Sequence, residues 1–147
     1  MDEIRRKGLA KMNEVYAWEM SDMPGDFFAL TVDHLFGDIW SRPGLSMRDK
    51  RLITLSVVTA LGLPDLAEIQ VNAALENGEM TSDELREMAL FITHYVGFPL
   101  GSGFNGVVER VAAKRRNAAA AGRADDKKAS AGDALKMHSG EKSSSEG

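Results

Sequence analysis

Apolar residues recur at intervals of three and four along most of the chain, and no segment alternates convincingly with period two. That spacing predicts an all-α fold of about six helices. The first runs from about Asp2 to Met20, carries Ile4, Leu9, Met12, Val15 and Tyr16, and stops before Met23-Pro24-Gly25. The second runs from about Asp26 to Trp40 with Phe28, Val32, Leu35 and Ile39 on one face, and Ser41-Arg42-Pro43-Gly44 breaks it. Ser46 caps the third, with Asp49 in the capping-box position, and Gly62 ends it after Leu61. The fourth starts near Pro64, a favoured first-turn residue, and ends at Asn77-Gly78. Thr81 caps the fifth, with Glu84 three residues on, and that helix runs to Val96 ahead of Gly97-Phe98-Pro99. A sixth covers roughly Leu100 to Arg116.

The third helix carries Leu52, Ile53, Leu55, Val57, Val58, Ala60 and Leu61, which leaves little polar face. The fifth is nearly as apolar, with Leu85, Met88, Leu90, Phe91, Ile92, Tyr95 and Val96. A helix that is apolar all round must be covered on all sides. A small monomer would expose part of this surface, so the pattern predicts a homo-oligomer that buries it. The pattern fades after Arg116. Residues 117–147 hold only Leu135 and Met137 as large apolar side chains, too few to offset the entropy of ordering. The expected organisation is one domain over residues 1–116 and a disordered tail over 117–147.

Composition narrows the partners. The tail has five basic and five acidic residues, so the net charge of −4 belongs to residues 1–116. That sign argues against nucleic acid as a partner. Lys114-Arg115-Arg116 reads as a solvated helix end. The opening Met-Asp-Glu-Ile-Arg-Arg-Lys has no apolar signal region, and no apolar run approaches the ~20 residues that span a bilayer. The expected location is the cytoplasm, with no membrane partner. The chain has no cysteine, which removes every thiol-based mechanism and any disulfide framework. His34 and His94 stand without metal-ligand spacing, so no metal is expected. Gly101-Ser102-Gly103-Phe104-Asn105-Gly106 spells G-x-G-x-x-G, but the dinucleotide fingerprint requires a preceding strand, and here a helix precedes it. The expected use of these small residues is close packing of the sixth helix.

The stretch from Asp38 to Arg51 holds most of the candidate chemistry. It places Trp40 and the cations Arg42, Arg48 and Arg51 in and beside a short loop that leads into a helix. Guanidinium groups beside an aromatic ring suit planar anions such as carboxylates. A small acidic substrate is the expected ligand, with Arg42, Arg48, Arg51 and Trp40 as its binding residues.

Five segments together carry a resemblance. They are Trp40-Ser41-Arg42-Pro43-Gly44-Leu45, Arg48-Asp49-Lys50-Arg51-Leu52-Ile53-Thr54-Leu55, Ala73-Ala74-Leu75-Glu76-Asn77-Gly78, Glu84-Leu85-Arg86-Glu87 and Tyr95-Val96-Gly97-Phe98-Pro99. In order and spacing, over roughly residues 4–113, the chain resembles the carboxymuconolactone decarboxylase family, in its small decarboxylase branch. The resemblance implies an alkylhydroperoxidase D-like all-helical fold around a helical hairpin, assembled as trimers or hexamers. It also implies a cofactor-free decarboxylation of 4-carboxymuconolactone in aromatic catabolism. The sister branch of thiol peroxidases uses a Cys-x-x-Cys pair, which this chain lacks. The decarboxylase branch usually carries a histidine eight residues before the glycine of its Ala-Leu-Asn-Asn-Gly-like stretch. Here that position is Gln70.

Decarboxylation of such a lactone needs no metal or Schiff base, because the substrate is its own electron sink. The protein must hold two carboxylates, donate hydrogen bonds to the growing oxyanion and return a proton to carbon. Gln70 falls on the stripe Leu66, Ile69, Gln70, Ala73 and can donate a hydrogen bond, but it cannot deliver a proton. His94 and Tyr95, near the Gly97 break, are the candidate acids, with Glu68 and Glu87 as carboxyl alternatives if burial raises their pKa. The second function class is a catalytically degenerate family member that binds a small ligand or serves assembly.

Overall fold

The computed structural model describes the backbone of residues 1–143 and the side chains of residues 1–133. All regular structure among the described residues is helical. The elements are α1 (Glu3–Tyr16), α2 (Asp26–Ala29) leading directly into a π-helical segment (Leu30–Ile39), α3 (Met47–Ala60), α4 (Pro64–Glu76), α5 (Ser82–Val96) and α6 (Phe98–Ser143). The all-α expectation and its succession of elements hold.

The caps act where the sequence places them. Ser46 accepts the backbone N–H of Asp49 at 3.1 Å. Thr81 and Glu84 form a reciprocal capping box at the start of α5. α1 stops earlier than expected, because Ala17 turns left-handed at φ 58°. The chain then folds back, and Asn13 accepts the Met20 backbone N–H at 2.9 Å.

The second helix differs more. From Leu30 its backbone is π-helical, and at the end of the segment the Trp40 N–H reaches the Leu35 carbonyl at 2.8 Å. The wider turn changes which residues align. The apolar stripe becomes Phe28, Val32, Phe36 and Trp40, spaced by four, while Leu35 and Ile39 face outward. Val32 and Phe36 pack on Leu9, Met12 and Val15 of α1. Gly8 allows this approach: a Cβ there would overlap the Val32 carbonyl oxygen. Arg5 joins the same two elements through Asp33, at 2.6 Å from Nε.

The main core lies among α3, α4, α5 and the first part of α6. Leu55, Val58, Ala67, Val71, Ala74, Leu85, Ala89, Ile92, Phe104, Val107 and Val108 are buried together. Gly101 sits where a Cβ would collide with Thr93 of α5. The first glycine of the G-x-G-x-x-G string is therefore a close-packing residue. In the single chain, Ile53 and Val57 of α3, Leu61 just after it, and Leu90, Phe91 and Tyr95 of α5 stay exposed.

The chain divides into two units, Met1–Val111 and Ala112–Gly147. Where the sequence analysis expects a disordered tail from residue 117, the backbone stays helical to Ser143. The physical reason is local: Ala118–Ala121 favour a helix, and no proline follows Pro99. The compositional argument concerned burial, and side chains 117–131 are indeed all exposed. Residues 144–147 of that expected tail lie outside the described residues.

Gly8→Ala forces α1 away from the π segment. We expect a loss of about 1–3 kcal/mol, the usual cost of overpacking, read as a lower urea midpoint at unchanged slope.

Candidate functional site

The cations of the loop and of α3 diverge. On a helix, residues two apart do not share a face, and Arg48, Lys50 and Arg51 reach three different environments.

Arg48 lies exposed and pairs with Glu84 of α5 at 2.6 Å. The Thr81 backbone N–H, and after it Arg48, hold the Glu84 carboxyl below its ordinary range. Both residues line an open groove of about 1320 Å³ between α3 and α5, with Leu52, Val57, Phe91 and Tyr95 among its apolar walls. The groove's other cation, Arg86, bonds Glu109 at 2.7 Å and Asp83 at 2.9 Å. Asp83, Glu84 and Glu87 also line it. Its cations are already matched by carboxylates, so it offers little to an acid.

Arg51 goes inward and is fully buried. Its Nε and Nη2 bond the two oxygens of Glu79 at 2.8 and 3.1 Å, a bidentate pair. Nη1 donates to Oε1 of Gln70. The guanidinium carbon stands over the Trp40 ring, 5.8 Å from its centroid. Glu79 follows Gly78, which supplies the positive φ of 67° in the turn after α4. Asn77 steadies that carboxylate at 3.3 Å and donates to the Glu14 carbonyl of α1 at 2.7 Å. The expectation that Arg51 binds substrate is corrected: its charge is already neutralised inside the core.

Lys50 turns back to the loop. Its Nζ donates to the carbonyls of Trp40 at 2.8 Å and Arg42 at 2.5 Å. Ser41 Oγ closes the corner on the Phe36 carbonyl at 2.7 Å. These bonds shape a hollow of about 470 Å³ lined by Ile39, Trp40, Arg42, Gly44, Leu45, Lys50, Ile53 and Thr54. Arg42 is exposed and makes no ion pair among the described residues, with Asp38 and Asp49 included. No acidic residue lines this hollow. Two cations without a carboxylate, beside a Trp ring, make this hollow the candidate site for a small anion.

The remaining candidates do not converge on it. Gln70 is 8 % exposed and lines neither the hollow nor the groove. His94 is exposed, its Nδ1 donating to the Leu90 carbonyl at 2.8 Å. Tyr95 is 79 % exposed, packs on Phe91 and faces the groove. The expected catalytic set of Gln70, His94 and Tyr95 is therefore not brought together in the single chain. Glu68 approaches Arg110 at 3.9 Å, and Glu87 lines the groove. The sequence reading kept Arg42 and Trp40 in one site and passed over Lys50. The available signal was the helical position of Lys50, opposite Arg48 and one turn after the Ser46 cap.

Comparison with known proteins agrees with the placement of these segments. The Carboxymuconolactone decarboxylase family matches residues 25–103. A 4-carboxymuconolactone decarboxylase of Acinetobacter baylyi is 34 % identical over 110 residues, covering 74 % of this chain and 81 % of that protein. The chain belongs to the carboxymuconolactone decarboxylase family. The family match takes in the Trp40–Lys50 hollow, the Arg51–Glu79–Gln70 cluster and both walls of the groove. Among the described residues of this family member, no helix is long and apolar enough to cross a membrane.

The depressed Glu84 carboxyl predicts the sign of a pH effect. A group with a lowered folded pKa contributes stability above its unfolded value, and loses it as pH falls through the folded value. Glu84→Gln should lower the urea midpoint at pH 7, and the gap from the parent should close as pH falls below about 4.

Proposed function

We propose that the chain is a cofactor-free carboxy-lyase that decarboxylates a small acidic lactone such as 4-carboxymuconolactone, in the cytoplasm, during aromatic catabolism. The observation that carries this reading is the hollow with two cations, an aromatic wall and no acid. The identity with a decarboxylase supports the reaction class.

The chemistry asks little of the protein beyond placement. The bond to the departing carboxylate breaks, and its electron pair moves through the conjugated double bond to the lactone carbonyl oxygen. Carbon dioxide leaves and a furan-like enolate remains, to be protonated on carbon. Arg42 holds a carboxylate of the substrate, its fork-shaped guanidinium being free to do so. Trp40 lies against the flat ring. Lys50 supplies positive charge for the growing oxyanion. Lys50 is also the proton source: an arginine does not deprotonate, and the Thr54 hydroxyl is committed to the Lys50 carbonyl at 2.9 Å.

A second reading has its own support. Gln70 has no proton to titrate, and its oxygen is engaged by Arg51. On that reading the hollow binds a small carboxylate without turning it over. Incubation with 4-carboxymuconolactone and measurement of carbon dioxide release separates the two. We expect turnover, and an Arg42→Ala variant with KM raised at least about tenfold, the loss of one charge-assisted contact. Binding by calorimetry without carbon dioxide release would favour the second reading; neither binding nor release would end both.

The apolar groove between α3 and α5 is the face we assign to a second copy of this chain, in an oligomer such as a trimer or hexamer. Phe91 stands 68 % exposed there. Light scattering behind a sizing column should give a multiple of 16.0 kDa for the parent and a smaller mass for Phe91→Glu.

A further inference from the structure

We propose that Arg51 is a positioning residue that makes position 70 a neutral hydrogen-bonding post, one that cannot carry a proton.

The argument starts from donors and acceptors. A guanidinium offers only N–H donors, and this one is fully buried. Its Nε and Nη2 are taken by Glu79. Nη1 points at residue 70, which must present an acceptor. A buried donor left unmatched is costly. The glutamine amide meets the requirement without titrating. Because Oε1 faces Arg51, the amide NH₂ is the end that faces away, so the same contact orients a donor.

A cationic side chain at position 70 would fail twice. A protonated imidazole has two donors and no acceptor, so donor would face donor. It would also place a second cation beside the first in a region shielded from water. The charged groups joined to the position through hydrogen bonds are Arg51 from α3 and, through it, Glu79 from the turn after α4. Glu79 is held on the Nε–Nη2 edge of the guanidinium, and Nη1 is the atom that meets Gln70. Asn77 bonds that same carboxylate and reaches α1 through the Glu14 backbone carbonyl.

The functional consequence rests on the decarboxylase reading above: the proton returned to the product comes from the hollow and not from position 70. The geometric claim and its test do not depend on that reading. The test is a Gln70→His variant, whose ring serves as a titratable reporter followed by NMR. A histidine peptide in the same buffer gives the reference. We expect the new ring to titrate at least about one pH unit below it. We also expect a through-hydrogen-bond ¹⁵N–¹⁵N coupling between Arg51 and the ring.

Burial alone would also lower the value, so a second variant separates the causes. Adding Arg51→Met and Glu79→Gln removes the pair as a neutral unit and keeps the site covered. The ring should then titrate at least about half a unit higher than with Arg51 present. A ring that titrates as the histidine peptide does in the single variant overturns the proposal, and so does a value unchanged by removing the pair. Should the combined variant not fold, absence of the Arg51 coupling in the single variant overturns it equally. Loss or retention of carbon dioxide release bears on the decarboxylase reading and leaves the titration result untouched.

Discussion

A guanidinium keeps its charge in a core, so it can be buried only where that charge and its donors are met, and that requirement organises this molecule. Arg51 of α3 holds Glu79 in the turn after α4, Gln70 within α4 and the ring of Trp40 at the end of the π segment. Through Asn77 the same cluster reaches the backbone of α1. Four segments distant in sequence are thus tied to one side chain. Removing one member of such a cluster strands the others, because a buried ion without its partner is far costlier than the pair is stabilising.

Trp40 carries the consequence outward. Its ring stacks on Phe36, 6.3 Å between centroids, lies against the Arg51 guanidinium and lines the cationic hollow. The wall of the cationic hollow is therefore fixed from behind by the charged core. The π segment contributes as well, since its wider turn brings Trp40 into register with Phe36 and Val32. Lys50 completes the loop by bonding its carbonyls, which keeps two cations near each other without a carboxylate between them. The two large surface features divide the chemistry by charge. The groove between α3 and α5 has acids for its arginines and apolar walls, while the hollow has two cations and no acid among its lining residues.

Much of this is legible in the sequence alone. The helical period, the Ser46 and Thr81 caps and the breaks at Gly62, Gly78 and Gly97 follow from residue types at near neighbours in sequence, and the family resemblance from five segments in register. The placing of Arg42 beside Trp40 belongs here too, since only Ser41 separates them. So does the absence of thiol chemistry, which composition alone decides.

What remained hidden depends on distances between residues far apart in the chain. Arg48, Lys50 and Arg51 look alike as letters, and only packing sends one to a groove, one to a loop and one into the core. That Arg51 is matched by Glu79, 28 positions later, has no local signature. The π-helical turn was equally invisible, because the stripe spaced by four that it uses is also compatible with an α-helix. The few apolar residues after Arg116 say nothing about whether the backbone there is helical. Side-chain burial depends on hydrophobic surface, whereas backbone helicity depends on local propensity, and alanine favours the second without supplying the first.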